Sequence, residues 1–270
     1  MPGSAAARSL ALRHPFLFSG ALTLLLLGFA GLGRVFYPQQ PVGDLRRLPA
    51  AEFRPPTQLE RALEAVRSPE GFYWVLALAL AAALLSGLGW WREAGLRAPR
   101  RGGLVHLWLP LLAAGVALSG GVLPPEGSGE LAALLISSGL PVAGEELVFR
   151  GLLWRALEER GPLVAAAVTS LLAGALSYAV SATGGPTPEA RYIAAFTLCG
   201  GLLYAGLRRR TGSLWPPLAG HLAVSLATGV AVLGSGAYQL LLYLGTLGFA
   251  AYGLALVLLP ARAGGRRPVL

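Results

Sequence analysis

The chain has 270 residues, of which 54% are apolar and only 13% charged, against roughly 25% charged in an ordinary soluble domain. The charges are bunched between long apolar runs instead of alternating with them, which excludes a compact water-soluble fold and puts the chain in the integral membrane class. The net charge of +9 is carried by arginine, with no lysine in the chain. Because the arginines stand at the ends of apolar runs, the basic balance speaks for cytoplasmic loops and against a nucleic-acid partner. The single cysteine, Cys199, excludes an intrachain disulfide.

In chain order the apolar runs are 16–33, 72–91, 103–123, 131–154, 162–182, 190–207, 214–233 and 237–260. Each is close to the ~20 residues that cross a bilayer, so the expected fold is all-α and polytopic, with about eight transmembrane helices. The first run follows Arg8 and Arg13 in the charge order of a signal peptide. Its length, Arg34 at its end and the seven further runs favour a retained span. Between the first two runs, Thr57 and Glu60 have the spacing of a capping box for a short charge-rich helix on the membrane surface. Ser68-Pro69-Glu70 reads as a cap with a first-turn proline, and Ser213 precedes a run with early prolines at 216 and 217.

Orientation follows from arginine placement. With both termini in the cytoplasm, 14 arginines fall inside and 7 outside, and 6 of those 7 belong to an external loop at 34–71 whose five acids offset them. The chain divides on this reading into N-terminal spans (1–129) with that loop, a core of four spans (130–233), and a last span with an Arg-rich cytoplasmic tail (234–270). The expected location is the bacterial cytoplasmic membrane.

The fourth run breaks the pattern. It carries Glu145, Glu146 and Arg150, with Glu145 ~21 Å from the outer end at the helical rise per residue. Ionisable groups at that depth are costly unless paired or facing a polar cavity. Glu146 and Arg150, at i and i+4, suit one ion pair, which leaves Glu145 without a structural reason. In the seventh run His221 sits ~10 Å from the cytoplasmic end, at a depth Glu145 could share. A carboxylate near an imidazole can activate water, bind zinc or serve an oxyanion, so Glu145 and His221 are candidate metal ligands. His221 alone suits a hydrogen-bonded packing residue equally well. His106, beside Trp108 near a span end, reads as interfacial, and Cys199, beside Gly200 and Gly201, as a packing residue.

Glu145-Glu146-x-x-x-Arg150-Gly151, then an apolar run after a short turn, then Arg210-Thr211-Gly212-Ser213-Leu214-Trp215-Pro216-Pro217 leading to His221, resembles the CPBP family, the CAAX prenyl proteases and bacteriocin-processing membrane endopeptidases. The resemblance covers about residues 130–233. It implies an intramembrane helical core whose cytoplasm-facing cavity cleaves peptide bonds near the membrane. It also implies that Glu145 activates water, that Arg150 orients Glu145 and Glu146, and that His221 ligates zinc or stabilises the oxyanion. Where the family pattern has Phe-x-x-x-His this chain reads Ala173 to Ser177, and where it has His-x-x-x-Asn it reads His221 to Ser225.

Serine is a poor zinc ligand. The resemblance therefore supports two readings. One is a metalloendopeptidase-like hydrolase, with zinc as the implied cofactor and a hydrophobic or membrane-anchored peptide as substrate in the lipid. The other is a non-catalytic adaptor or peptide-binding pseudoenzyme on the same scaffold. A proton or ion transporter would call for inverted repeats and more intramembrane charge than Glu145, Glu146 and Arg150.

Overall fold

The computed structural model describes residues 2–36, 66, 68–100, 102–123, 125, 127–182 and 187–260. The capping box at Thr57, most of the loop at 34–71 and the tail at 261–270 lie outside the described residues. The described residues form helices joined by short turns, with one isolated antiparallel bridge between Val122 and Ala231.

A helix not anticipated from the hydropathy, α1 (Pro2–Arg13), precedes the first span, α2 (Pro15–Phe36). Helix α3 (Pro69–Leu88) begins as its sequence suggests. Ser68 Oγ accepts from the Gly71 N–H at 2.9 Å and Pro69 occupies the first turn. Gly89, at φ 66°, closes the helix in the left-handed region. A 3₁₀ turn (Gly103–Leu107) leads into α4 (Trp108–Leu118). Helix α5 (Ser128–Glu145) runs without a break into a π-helical segment (Glu146–Leu153) and the short α6 (Trp154–Leu157). Helices α7 (Pro162–Ser181), α8 (Pro188–Thr211) and α9 (Trp215–Val230) follow. Thr187 caps α8, and the Ser213 hydroxyl accepts from the Trp215 N–H at the start of α9. The chain closes with α10 (Ser235–Tyr243), a π turn (Leu244–Gly248) and α11 (Phe249–Leu258).

Every apolar run coincides with helix, and six helices are long and apolar enough to cross a membrane: Pro15–Phe36, Glu70–Leu88, Ser128–Arg160, Pro162–Ser181, Pro188–Thr211 and Ser235–Leu258. Six of the expected eight spans meet this measure of length and composition among the described residues. The third and seventh runs fold as the shorter Gly103–Leu118 and the 16-residue Trp215–Val230, below the ~20 residues of a full span. Between 28% and 44% of each crossing window is buried inside the protein. The outward faces carry exposed Leu17, Leu24, Leu171 and Leu247, an apolar surface suited to lipid. The protein is therefore a multi-pass helical membrane protein.

Small residues let the central helices approach closely, as membrane packing requires. A Cβ on Gly253 of α11 would fall on the backbone of Leu202 and Leu203 of α8, and one on Gly206 would meet Leu256 and the Gly253 carbonyl. The arginine-bearing segments gather at one end of the bundle. Arg8 pairs with Glu93 at 3.1 Å, Arg160 donates to the Arg13 carbonyl, Arg97 to the Gly212 carbonyl, and Arg210 to the Leu259 and Pro260 carbonyls. Elsewhere, Arg34 at the end of α2 reaches the Ala179 and Val180 carbonyls near the end of α7.

Candidate functional site

The two adjacent glutamates stand where the winding changes. Glu145 is the last residue of α5 and Glu146 the first of the π-helical segment. Successive helical residues point about 100° apart, so the two carboxylates enter different surroundings. Pro141, inside α5, already removes one backbone donor from the turn that leads to them. Local π winding of this kind occurs often at functional sites, and hydropathy carries no signal of it.

Glu146 faces inward and is fully buried. Its Oε1 lies 3.8 Å from Arg150 Nη1 and 3.0 Å from Nδ1 of His221 on α9. This contact uses Nδ1 and leaves Nε2 as the ring's other nitrogen. The His221 ring stacks on Tyr204 of α8, with centroids 4.7 Å apart and planes 14° apart. The Arg150 carbonyl accepts from Arg208 Nε at 3.2 Å, which ties this segment to α8. Gly201 makes room for the Arg150 guanidinium, since a Cβ there would come within 2.8 Å of Arg150 Nη2 and of Ser170 Oγ. Glu146 Oε2, Arg150 Nε and the hydroxyls of Ser170 and Tyr204 are buried without a hydrogen-bond partner among the described residues. Orphaned polar atoms of this kind are expensive and mark a polar centre inside an apolar bundle.

Glu145 turns the other way. It lines a cavity of about 130 Å³ together with Glu70 and Trp74 of α3, Pro141, Ser177 of α7 and Thr197 of α8. The carboxylate of Glu145 and the hydroxyl-bearing Ser177 thus line one space. His221 and Ser225 do not line it. The hydrogen bond of His221 goes to Glu146, not to Glu145, yet His221, Arg150, Glu146 and Glu70 all act electrostatically on Glu145. Ser225 follows His221 by about one turn of α9 and is partly buried; its carbonyl accepts from Thr228 Oγ1 at 3.1 Å.

Zinc requires three or four converging donors. No group of three His, Cys, Asp or Glu side chains able to hold a metal occurs among the described residues. The one imidazole at the centre spends Nδ1 on Glu146, and positions 177 and 225 offer only hydroxyls. The donor set does not fit the zinc implied by the resemblance. His106, read as interfacial, has its Nδ1 2.9 Å from the Tyr252 hydroxyl. Cys199 packs beside the cluster that holds Tyr204 and Phe249, as a packing residue does.

Tyr204, Glu70, Thr197 and Gly201 were not legible as site residues. Tyr204 and Thr197 sit in an apolar run with nothing to set them apart, and Glu70 reads as a helix-start acid. Gly200-Gly201 was the one available signal, a small-residue pair that permits close approach.

These features define a multi-pass helical membrane protein with a buried glutamate–arginine–histidine centre. Residues 127–227 match the family model described as type II CAAX prenyl endopeptidase Rce1-like. The resemblance borne by the motifs is shown over that segment, which holds Glu145, Glu146, Arg150, Ser177, His221 and Ser225. No curated protein and no solved structure matches the chain.

Proposed function

We propose that the protein is an intramembrane endopeptidase-like hydrolase that uses a glutamate-activated water and acts on a hydrophobic or membrane-anchored peptide. The observation that carries this reading is the carboxylate of Glu145 lining a small cavity with the Ser177 hydroxyl, apart from the Glu146–Arg150–His221 array. Glu145 would accept a proton from a water whose oxygen adds to the scissile carbonyl carbon. The resulting oxyanion would be served by the hydroxyl of Ser177, which lines the same space. Collapse breaks the C–N bond, and Glu145 returns the proton to the departing amine. Arg150 and Glu146 are positioning residues that fix the π-helical segment and the His221 ring. The core, residues 130–233, carries this chemistry; the flanking helices hold it in lipid.

A second reading, a peptide-binding protein that does not cut, is favoured by the hydroxyls at 177 and 225. A short hydroxyl replaces an imidazole and an amide, and a missing oxyanion donor alone costs about 10²–10³ in rate.

The test is hydrolysis of an internally quenched peptide with a prenylated C-terminal segment by the purified full chain in lipid nanodiscs. Slow turnover that falls at least about 10²-fold in E145Q, but not in E70Q, supports the hydrolase. Tight binding of the peptide without cleavage supports the second reading, and turnover equal in E145Q removes Glu145 from the chemistry.

A further inference from the structure

At the arginine-rich end of the bundle lies a second cavity, larger than the one at Glu145 and separate from it. Its volume is about 340 Å³, and its lining includes Glu93, Arg97, Arg100, Glu158, Arg208 and Arg209. That size falls in the range of small-ligand clefts, about 300–1,000 Å³.

The charges of this cavity do not balance. Its two acids are engaged by arginines that do not line it: Glu93 by Arg8 at 3.1 Å and Glu158 by Arg155 at 2.6 Å. No ion pair joins any of the four lining arginines to a carboxylate among the described residues. Two of the four are tied to backbone: Arg208 donates to the Glu93 and Arg150 carbonyls and Arg97 to the Gly212 carbonyl. The other two are not. Arg209 Nη1 is buried without a hydrogen-bond partner, and the Arg100 side chain makes no hydrogen bond among the described residues.

The guanidinium groups also converge. Arg97 Nη2 and Arg100 Nε each lie 3.3 Å from the point a Cβ on Gly212 would occupy. Gly212 is at φ 65°, the left-handed cap of α8, so both the backbone turn and the space above it are available only to glycine. Arg208 is within electrostatic reach of Glu158 first and then of Arg97 and Arg100. Like charges held this close repel unless an anion lies between them. Guanidinium forks match the oxygens of a phosphate group.

The position of the cavity selects the source of that anion. Pro162, at the start of α7, lines it, and the next residue, Leu163, is exposed on the apolar outer surface. The cavity thus opens where lipid-facing helix meets the polar end of the bundle, the level of a phospholipid headgroup, where basic pockets between helices hold anionic lipids.

We propose that this cavity binds the phosphate group of an anionic phospholipid, with Arg97, Arg100, Arg208 and Arg209 around the phosphate and the acyl chains leaving along the outer face beside Leu163. The site is independent of the peptidase reading, and its test does not involve peptide hydrolysis.

The test is the thermal unfolding of the purified full chain in uncharged detergent micelles, with dioleoyl phosphatidylglycerol, dioleoyl phosphatidylcholine or inorganic phosphate added. Phosphatidylglycerol in large excess should raise the melting temperature by about 5 °C, phosphatidylcholine by much less, and the rise should vanish in R100Q/R209Q. Because Arg209 is half-buried, R97Q/R100Q, which changes two exposed residues, serves as a second variant should the first fail to fold. Inorganic phosphate matching phosphatidylglycerol would overturn the lipid source while keeping the phosphate site. Equal effects of the two lipids, or a rise that persists in both variants, would overturn the site.

Discussion

Among single residues, Arg150 bears most on stability. It is almost completely buried against an equally buried Glu146, so removing it leaves an uncompensated carboxylate in an apolar bundle. R150M should lose about 3–5 kcal/mol, as broken buried pairs do. E146Q/R150M should lose less than the sum of the single changes. Thermal unfolding in detergent checks both, and strict additivity would mean that the pair contributes nothing. The pairing was legible from the i, i+4 spacing alone. The partner of His221 was not, because which of two adjacent carboxylates faces a neighbouring helix depends on rotation about the helix axis. The π winding at Glu146 takes part in setting that rotation. Nor could sequence assign Tyr204, whose role comes from stacking on a ring 17 positions away in the chain on a different helix.

At the scale of elements, helix starts and stops were written locally and the approach between helices was not. Ser68 with Pro69 and the cluster from Ser213 to Pro217 announce their helices because a cap is satisfied within three residues. Gly206 and Gly253, by contrast, are ordinary members of a glycine-rich chain until α8 and α11 are brought together. G253A should destabilise by about 1–3 kcal/mol, because its methyl would meet the Leu202–Leu203 backbone. G139A, with nothing within 4 Å of the new methyl, should be neutral or slightly stabilising. Equal effects of the two in an unfolding comparison would show that the α8–α11 contact is looser than described.

For the whole molecule, composition and hydropathy carried the class, while the length of individual helices depended on packing. Gly103–Leu118 and Trp215–Val230 are apolar enough to read as spans from sequence, yet their helices stop short. Their ends are joined instead by the bridge between Val122 and Ala231 and by the bonds from Leu123 N–H to Val230 and from Val232 N–H to Gly121. Among the described residues, the arginine-bearing segments around Arg8, Arg97, Arg160 and Arg210 meet at one end of the bundle. After C199S, a cysteine at Ala98 should label from the cytoplasmic side and one at Gly234 from the outside. The reverse pattern would invert the orientation.

The central claim is that Glu145 and Ser177 face one reaction space. It is tested most directly by rebuilding the family's side chains, S177H with S225N, and measuring hydrolysis of the prenylated peptide in nanodiscs with and without E145Q. The account predicts that the rebuilt protein cuts faster than the natural one, because an imidazole returns to the Glu145 cavity and an amide donor to α9, and that E145Q abolishes the gain. No gain from a folded S177H/S225N protein, or a gain that survives E145Q, would contradict it.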